Sequence, residues 1–504
     1  MRTKKAIKNI LVSMIYQIVS IVCGLITPRM VLLNFGSTYS GVSASATQFL
    51  SMISFLTLGI AGATRVALYK TLAADDTLGT SRIMRATRLY MRKVAMAVVG
   101  LSIVLMLIYP YISHNDLSHI ESAMLIGIVA LSTFADYFLG ISNRTLLTAA
   151  QETYIVFGIN IATTVLNTVF IAILIWAGQN VFIVKLGSAL VYVIMPLVLN
   201  TIVNRKFHLI KDCEPDYTAI KGRGAVAFHS IANIVHANTD LVILTLFTDA
   251  KVLSVYTIYY LVVGKVKSLM QVFTNGMEAG FGDMWAKKEM KALKQNFRIY
   301  EFGLFTLTGI VFSCVGTLII PFLERYTKGI NDTNYIIPSL AVLISLAEGM
   351  YCVRQPYLTL VQAAGKYEET KKGAMLEAII NITTSLILVW KIGINGVIIG
   401  TLIANIVRTS QYVYFSSRYI LDRPISEVVF RFLWLIADSA IITVCAISIN
   451  TMITFEIGWL GWVLNAVIVF LIASCMTLLM ALLFYRSDVV NCTNVIKRMI
   501  SKKR

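Results

Sequence analysis

The 504-residue chain is 57% hydrophobic and only 14% charged, against roughly 45–50% and 25% in soluble domains. No water-soluble fold hides that much apolar surface, so composition alone directs the chain to a bilayer. The net charge of +18 would suit a nucleic-acid ligand only if the basic residues gathered on one solvated face, and they lie instead between apolar runs.

The basic N-terminus, Arg2 to Lys5, leads into an apolar run that continues to about Leu33 with no small-residue cleavage site. It reads as a first span rather than a removable signal. Apolar runs between charged breaks place the first seven helices near 7–33, 40–68, 94–112, 120–142, 153–176, 181–203 and 224–248. Seven more follow near 252–278, 300–323, 336–363, 374–390, 394–413, 428–449 and 458–484. Each needs about 20 mostly apolar residues, so about fourteen spans leave only short connections. The expected fold class is therefore an all-α polytopic membrane protein. The seven cysteines fall within spans or in segments assigned to the cytoplasm, so neither disulfides nor a cysteine metal site is expected.

With the N-terminus inside, 32 of the 44 lysines and arginines lie on inner segments, counting Lys8 at the mouth of the first span. The outer loops hold four, namely Lys251, Arg325, Lys328 and Lys391. That asymmetry sets both termini in the cytoplasm by the positive-inside rule. Basic loops beside anionic lipid also account for the charge without nucleic acid. The longest outer loop, around Glu324 to Tyr335, is too short for a folded catalytic module.

An internal repeat appears at an offset near 212: Asn34-Phe35 falls opposite Leu246-Phe247, Asp136 opposite Glu348, and Asn143 opposite Gln355. Ile159–Ile161 matches Ile380–Ile382 at 221, which an insertion between helices 10 and 11 reconciles. Six spans per half, an even number, gives both copies one orientation and places a substrate path between them. The expected organisation is a six-helix lobe at 1–203, a cytoplasmic linker at 204–223, a second six-helix lobe at 224–413, two peripheral helices within 428–484, and a basic cytoplasmic tail at 485–504.

Polar groups at mid-bilayer cost about 2.5–3.5 kcal/mol when charged, so a row of them on one helical face implies water or partners. Helix 7 carries His229, Asn233, His236 and Asp240, spaced 4, 3 and 4 on one face. Helix 10 offers Ser345, Glu348, Cys352, Gln355, Thr359 and Gln362; helix 8 offers Tyr256, Tyr260, Gly264, Lys267, Gln271, Thr274 and Glu278. Helix 4 offers Ser132, Asp136, Gly140 and Asn143, whereas helix 2 has only a hydroxyl stripe of Ser43, Thr47, Ser51, Ser54 and Thr57. Such rows either line a water-filled lumen or glue helices together. On helix 8, Lys267 continues the polar stripe while Lys265 lies among Ile258, Leu261, Val262 and Leu269, so Lys267 is the expected lumen cation. On helix 1, Arg29 follows Pro28 and faces inward only if the proline redirects it. The acids Asp136 and Glu348 are expected to serve a transport cycle by protonation or by pairing with cations, or else to form static bridges. His229, His236 and Asp240 are candidates for proton coupling, because imidazole titrates near neutral pH. The two histidines stand about 10 Å apart in helical rise, which argues against a shared metal, and no cofactor is expected.

The stretch Gly222–Ala227 has the spacing of a dinucleotide fingerprint but precedes a membrane helix and follows no strand. No G-x-x-x-x-G-K followed by Ser or Thr is present, so a P-loop does not drive transport, and no nucleophile, base and orienting acid recur at a recognisable spacing. An enzyme is not expected.

The segments Asn238–Phe247 (NTDLVILTLF) and Val255–Tyr260 (VYTIYY) resemble the helix 7 to 8 region of bacterial polysaccharide flippases of the O-antigen and capsule, Wzx-like, type. Asn34–Gly41 (NFGSTYSG), Leu58–Gly62 (LGIAG) and Gly393–Thr401 (GINGVIIGT) resemble turns of the same family. The resemblance implies the multidrug, oligosaccharidyl-lipid and polysaccharide exporter fold, two six-helix lobes forming a V around a central cavity. It also implies passage of a polyprenyl-pyrophosphate-linked oligosaccharide across the bacterial inner membrane, with ion-gradient coupling and a polysaccharide polymerase or glycosyltransferases as partners beside the membrane lipids. Lumen cations of that family on helices 1, 2 and 8 match Arg29 and Lys267, while helix 2 offers only Arg65 at its inner end. With Tyr256, Tyr260 and Gln271 for the sugars, these form the expected substrate contacts. The alternatives are a peptidoglycan-precursor flippase or small-molecule exporter of the same superfamily, and more distantly a membrane polymerase.

Overall fold

The computed structural model describes residues 2–57, 60–113, 115–210, 212–219, 238–274, 277–452 and 458–501, and among them it holds helices and no strand. The helices are α1 (Arg2–Phe35), α2 (Ser37–Ser51), α3 (Ile60–Ala73), α4 (Thr77–Ile112), α5 (His119–Ala135), α6 (Ile141–Ala149), α7 (Thr153–Trp176), α8 (Val181–Phe207) and α9 (Asn238–Phe247). They continue with α10 (Ala250–Thr274), α11 (Met277–Ala286), α12 (Met290–Tyr326), α13 (Pro338–Ala363), α14 (Tyr367–Ile392), α15 (Ile394–Phe415), α16 (Ile425–Met452), α17 (Gly458–Phe484) and α18 (Arg486–Ser501). Among the described residues ten helices, α5 and α6 counting as one, are long and apolar enough to cross a membrane, and a bent pair formed by α2 and α3 makes an eleventh. The 26-residue α13 and 22-residue α15 also have spanning length but carry too many polar side chains to qualify on apolarity. Together with α9, whose preceding residues lie outside those described, this accords with about fourteen crossings.

Two compact units result: Met1–Thr257 with Gly329–Thr333, and Ile258–Lys328 with Asn334–Arg504. The dividing line falls inside α10, whereas the sequence repeat divides the chain at 204–223.

In the first unit, local chemistry fixes the helix ends. The Asp76 carboxylate accepts from the Gly79 amide at the start of α4, Asn180 accepts from the Ile183 amide at the start of α8, and Ser118 with Glu121 forms a reciprocal capping box on α5. Gly36 turns the chain between α1 and α2 at φ +84°, and there Asp332 accepts from the Ser37 amide at 2.6 Å and hydroxyl at 2.7 Å. A side chain at Gly36 would be strained and would press on that carboxylate at 3.0 Å. Helix 2, expected as one span over 40–68, is broken by a 3₁₀ turn at Met52–Thr57 and bends by 47° into α3. The Ser51 and Thr57 hydroxyls donate to carbonyls three residues back, the competition that loosens an α-helical ladder. Helix 4 is longer than the expected 120–142, because a π-turn at Asp136–Gly140 carries α5 into α6 as far as Ala149. Helix α4 starts at Thr77, well before the apolar run at 94, and the segment after α8 folds back on that extension: Ile210 donates to Ser81, and Arg85 to the Cys213 carbonyl.

In the second unit, α16 and α17 pack on α12 through Ile310, Cys314, Leu318, Ile442, Ala446 and Val469. An ionic knot ties them further. Arg431 pairs with Glu301 at 2.5 Å and with Asp488 at 3.0 Å, Arg423 also pairs with Glu301, and Arg298 pairs with Asp488 at 2.6 Å. Glu301 and Asp488 are fully buried, so these pairs hold α12, α16 and α18 together at their charged ends.

Candidate functional site

Several of the residues singled out by periodicity meet in the second unit, whereas those described in the first unit stand in separate pairs. In the second unit, α10 and α13 bring Lys267 and Glu348 together, with Nζ 2.8 Å from Oε2. Both side chains are largely buried, at 15% and 7% exposure, so the pair is screened little by solvent. The Lys267 ammonium also stands 4.1 Å from the centroid of the Tyr351 ring and 5.7 Å from that of Tyr260. Gln271, one turn further along α10, reaches the Tyr351 hydroxyl at 3.5 Å. One cation is thus held by a carboxylate and two aromatic rings, with an amide on the hydroxyl of one of them. Tyr260, Lys267 and Gln271 of the helix 8 stripe lie together on α10, but Glu278 belongs to the separate helix α11.

Tyr351, absent from the expected site, links this pair to a second ionic cluster. Its other cation is Arg354, 4.5 Å from the ring centroid. Arg354 pairs with Glu377 on α14 at 2.6 Å, and Arg408 on α15 approaches the same carboxylate at 3.4 Å while donating to the Thr370 carbonyl. Both arginines lie off the polar stripes, and the available signal was their charge inside apolar runs, which is costly enough to require a partner.

In the first unit, Asp240 of α9 is buried and accepts from the Tyr256 hydroxyl of α10 at 3.0 Å. Asn238 accepts from Ser51 at 2.7 Å and from Gln48, and Ser45 meets Thr245 at 2.7 Å, whereas the stripe hydroxyls of Ser43, Thr47 and Thr57 donate to carbonyls of their own segment. Asp136 pairs with Arg144 at 2.7 Å across the π-turn, with both side chains about one-third exposed. Arg29 is half-buried on α1. Arg65 is exposed on α3 and makes no hydrogen bond or ion pair among the described residues. His229, Asn233 and His236 lie outside the described residues. Among the described residues no group of three His, Cys, Asp or Glu side chains could hold a metal ion.

A groove of about 520 Å³ in the second unit runs between α12, α13 and α16 past Phe312, Gly316, Ser345, Phe432 and Val444. Its lining is nearly all apolar, and it contains none of the ionisable residues above.

No protein-family model matches the chain, and no curated protein matches it. Solved structures do. One, described as the lipid II flippase MurJ in an inward closed conformation, superposes with a TM-score of 0.66 at 14% identity, covering 95% of this chain and 100% of that one. An inward-facing multidrug resistance MATE family transporter of the MOP superfamily gives 0.61 at 12% identity, over 82% and 98% of the two chains. A MOP superfamily transporter from Pyrococcus furiosus, described as having a binding pocket of reversed polarity, gives 0.50 at 11%, over 81% and 96%. At these identities the likeness is one of fold, and the fold is that of MOP-type transporters and flippases.

Proposed function

We propose that this protein carries a polyprenyl-pyrophosphate-linked oligosaccharide from the inner to the outer leaflet of the bacterial cytoplasmic membrane by alternating access. The observation that carries the reading is Lys267, a buried ammonium held by one carboxylate between the rings of Tyr260 and Tyr351 with Gln271 beside it. An arriving pyrophosphate competes with Glu348 for the same cation through charge-assisted hydrogen bonds. Aromatic faces and an amide suit the apolar faces and hydroxyls of sugars. Release of Glu348 from Lys267 then frees a carboxylate to take up a proton, which supplies coupling to an ion gradient. Asp136, paired with Arg144, is the corresponding acid of the first unit, and His229, His236 and Asp240 remain candidates for the proton path. Both termini in the cytoplasm, two repeated six-helix lobes with peripheral C-terminal helices, and cooperation with a polymerase or glycosyltransferases belong to the same reading. In it, Arg29 and Arg65 are further phosphate contacts and Tyr256 a sugar contact.

A second reading has a specific support. The MurJ structure matches along its whole length, which favours a lipid II-type peptidoglycan precursor as the cargo. A small organic cation fits less well, because the central charged group here is itself a cation. The test is transbilayer movement in reconstituted vesicles of three cargoes offered separately: a polyprenyl-pyrophosphate oligosaccharide, lipid II, and an organic cation. Movement of the first supports the proposal, of the second alone supports the alternative, and of the cation alone overturns both.

A further inference from the structure

Four arginines of the second unit are neutralised within the protein: Arg354 and Arg408 by Glu377, Arg423 and Arg431 by Glu301, with Asp488 also on Arg431. In the first unit, α4 carries a ladder of arginines, Arg82, Arg85, Arg88 and Arg92, at intervals of 3, 3 and 4 that keep them on one face. Arg82 and Arg85 are occupied by the segment after α8, through Glu214 and the Cys213 carbonyl. Arg88 is held differently. Its Nη2 donates to the amide oxygens of Asn143 at 2.9 Å and Asn204 at 3.1 Å, both neutral, and its Nε is buried with no acceptor. Among the described residues no carboxylate pairs with it, and a second cation, Arg92, stands one turn further along the same helix. Arg92 is exposed, standing 5.1 Å from the Phe138 ring, and exposed Lys93 follows it; neither forms an ion pair among the described residues.

A half-buried guanidinium oriented by two amides, keeping its full charge and unused N–H donors, is arranged to receive an anion. Its depth says which kind. Arg92 and Arg88 precede the apolar run that begins at Val94 by two and six residues, about 3 and 9 Å along the helix, which is the headgroup layer of a bilayer. The charge asymmetry of the sequence puts that layer on the cytoplasmic side.

We propose that Arg88 and Arg92 form a binding site for a lipid-borne phosphate or pyrophosphate at the inner leaflet. Asn143 and Asn204 are its positioning residues: they fix the guanidinium plane without neutralising it. This rests on the proposed lipid-linked cargo only for the identity of the ligand; the same chemistry is offered by a resident anionic phospholipid.

The test exploits that neutrality. Asn204→Asp keeps the shape and the hydrogen bond but supplies Arg88 with an internal carboxylate, while Arg92→Gln removes an exposed charge that holds no helix in place. Binding is measured in phosphatidylcholine nanodiscs with sugar-free polyprenyl pyrophosphate and, separately, phosphatidylglycerol as probes, alongside the thermal midpoint. The expected result is that each variant weakens polyprenyl pyrophosphate by about tenfold, the worth of one lost charge-assisted contact, with Asn204→Asp melting no lower than wild type. Weakening of phosphatidylglycerol alone keeps the site and assigns it to resident lipid. If both variants bind both probes like wild type, Arg88 only knits α4 to α6 and α8 and the site is refuted. A protein that moves no lipid-linked sugar but whose variants lose phosphatidylglycerol would remove the cargo and leave the site.

Discussion

Replacing Lys267 by Gln leaves the Glu348 carboxylate 7% exposed and without its ion partner. Replacing Glu348 by Gln strands the ammonium in the same way, although the Tyr351 ring 4.1 Å away softens that loss. Breaking one side of a buried ion pair costs about 3–5 kcal/mol, because the surviving charge has lost its compensation. The double variant Lys267→Gln with Glu348→Gln removes both charges and places two amides within reach of each other, so its stability returns to within about 1 kcal/mol of wild type. Stability and transport therefore separate: thermal unfolding in detergent gives two low singles and a restored double, while vesicle flipping is lost in the double and in Lys267→Gln. A double variant that is stable and transports at the wild-type rate would show that the pair only locks helices. Singles as stable as wild type would show that the pair is not buried as described.

The remaining predictions concern the other acids. Asp136→Asn removes the partner of Arg144 from a pair about one-third exposed, so its stability cost stays near or below about 1 kcal/mol, and any transport defect beyond that, followed across pH, reports the cycle itself. Full transport at every pH in both Asp136→Asn and Glu348→Gln at normal expression would end their proposed role. Glu377→Gln uncovers Arg354 and Arg408 together and should destabilise by about 3–5 kcal/mol, read as a large fall in thermal midpoint; an unchanged midpoint would contradict the cluster. In the segment after α8, the Thr218 hydroxyl, then the Ala219 and Thr218 amides, hold the Asp216 carboxyl below its usual range. Its folded form titrates below its unfolded form, so its contribution is complete above the ordinary carboxylate range and fades as pH falls through the folded value. Hydrogen exchange at the Thr218 and Ala219 amides should accelerate there, and an Asp216→Asn protein should lose that pH dependence.

Apolar runs marked where the chain meets lipid but not where its helices end. The run of helix 3 starts at 94, yet α4 begins at Thr77, because charged residues are good helix formers and the Asp76 cap starts the helix. That difference hid Arg88, which reads as a loop residue when the helix is equated with its apolar part. Helical period placed Lys267 on its stripe and chose it over Lys265, since a period of 3.6 is a property of the sequence. It could not name Glu348 over Asp240 as the partner, because that choice depends on how α10 packs against α13. Asp240 found its partner in Tyr256 on the following helix. The triad of Arg354, Glu377 and Arg408 spreads over three helices and lies on no stripe, so only the rarity of intramembrane arginine pointed to it. The repeat paired Asp136 with Glu348, and each does hold a cation, but Arg144 lies in α6, beyond a π-turn that no apolar pattern reveals.

The most direct test of the account is transbilayer movement of a fluorescent polyprenyl-pyrophosphate oligosaccharide in vesicles holding either the wild-type protein or Lys267→Gln. The account predicts movement above protein-free vesicles with wild type and none above that background with Lys267→Gln. Equal movement by both proteins, or efflux of an organic cation with no movement of the lipid-linked sugar, would contradict it.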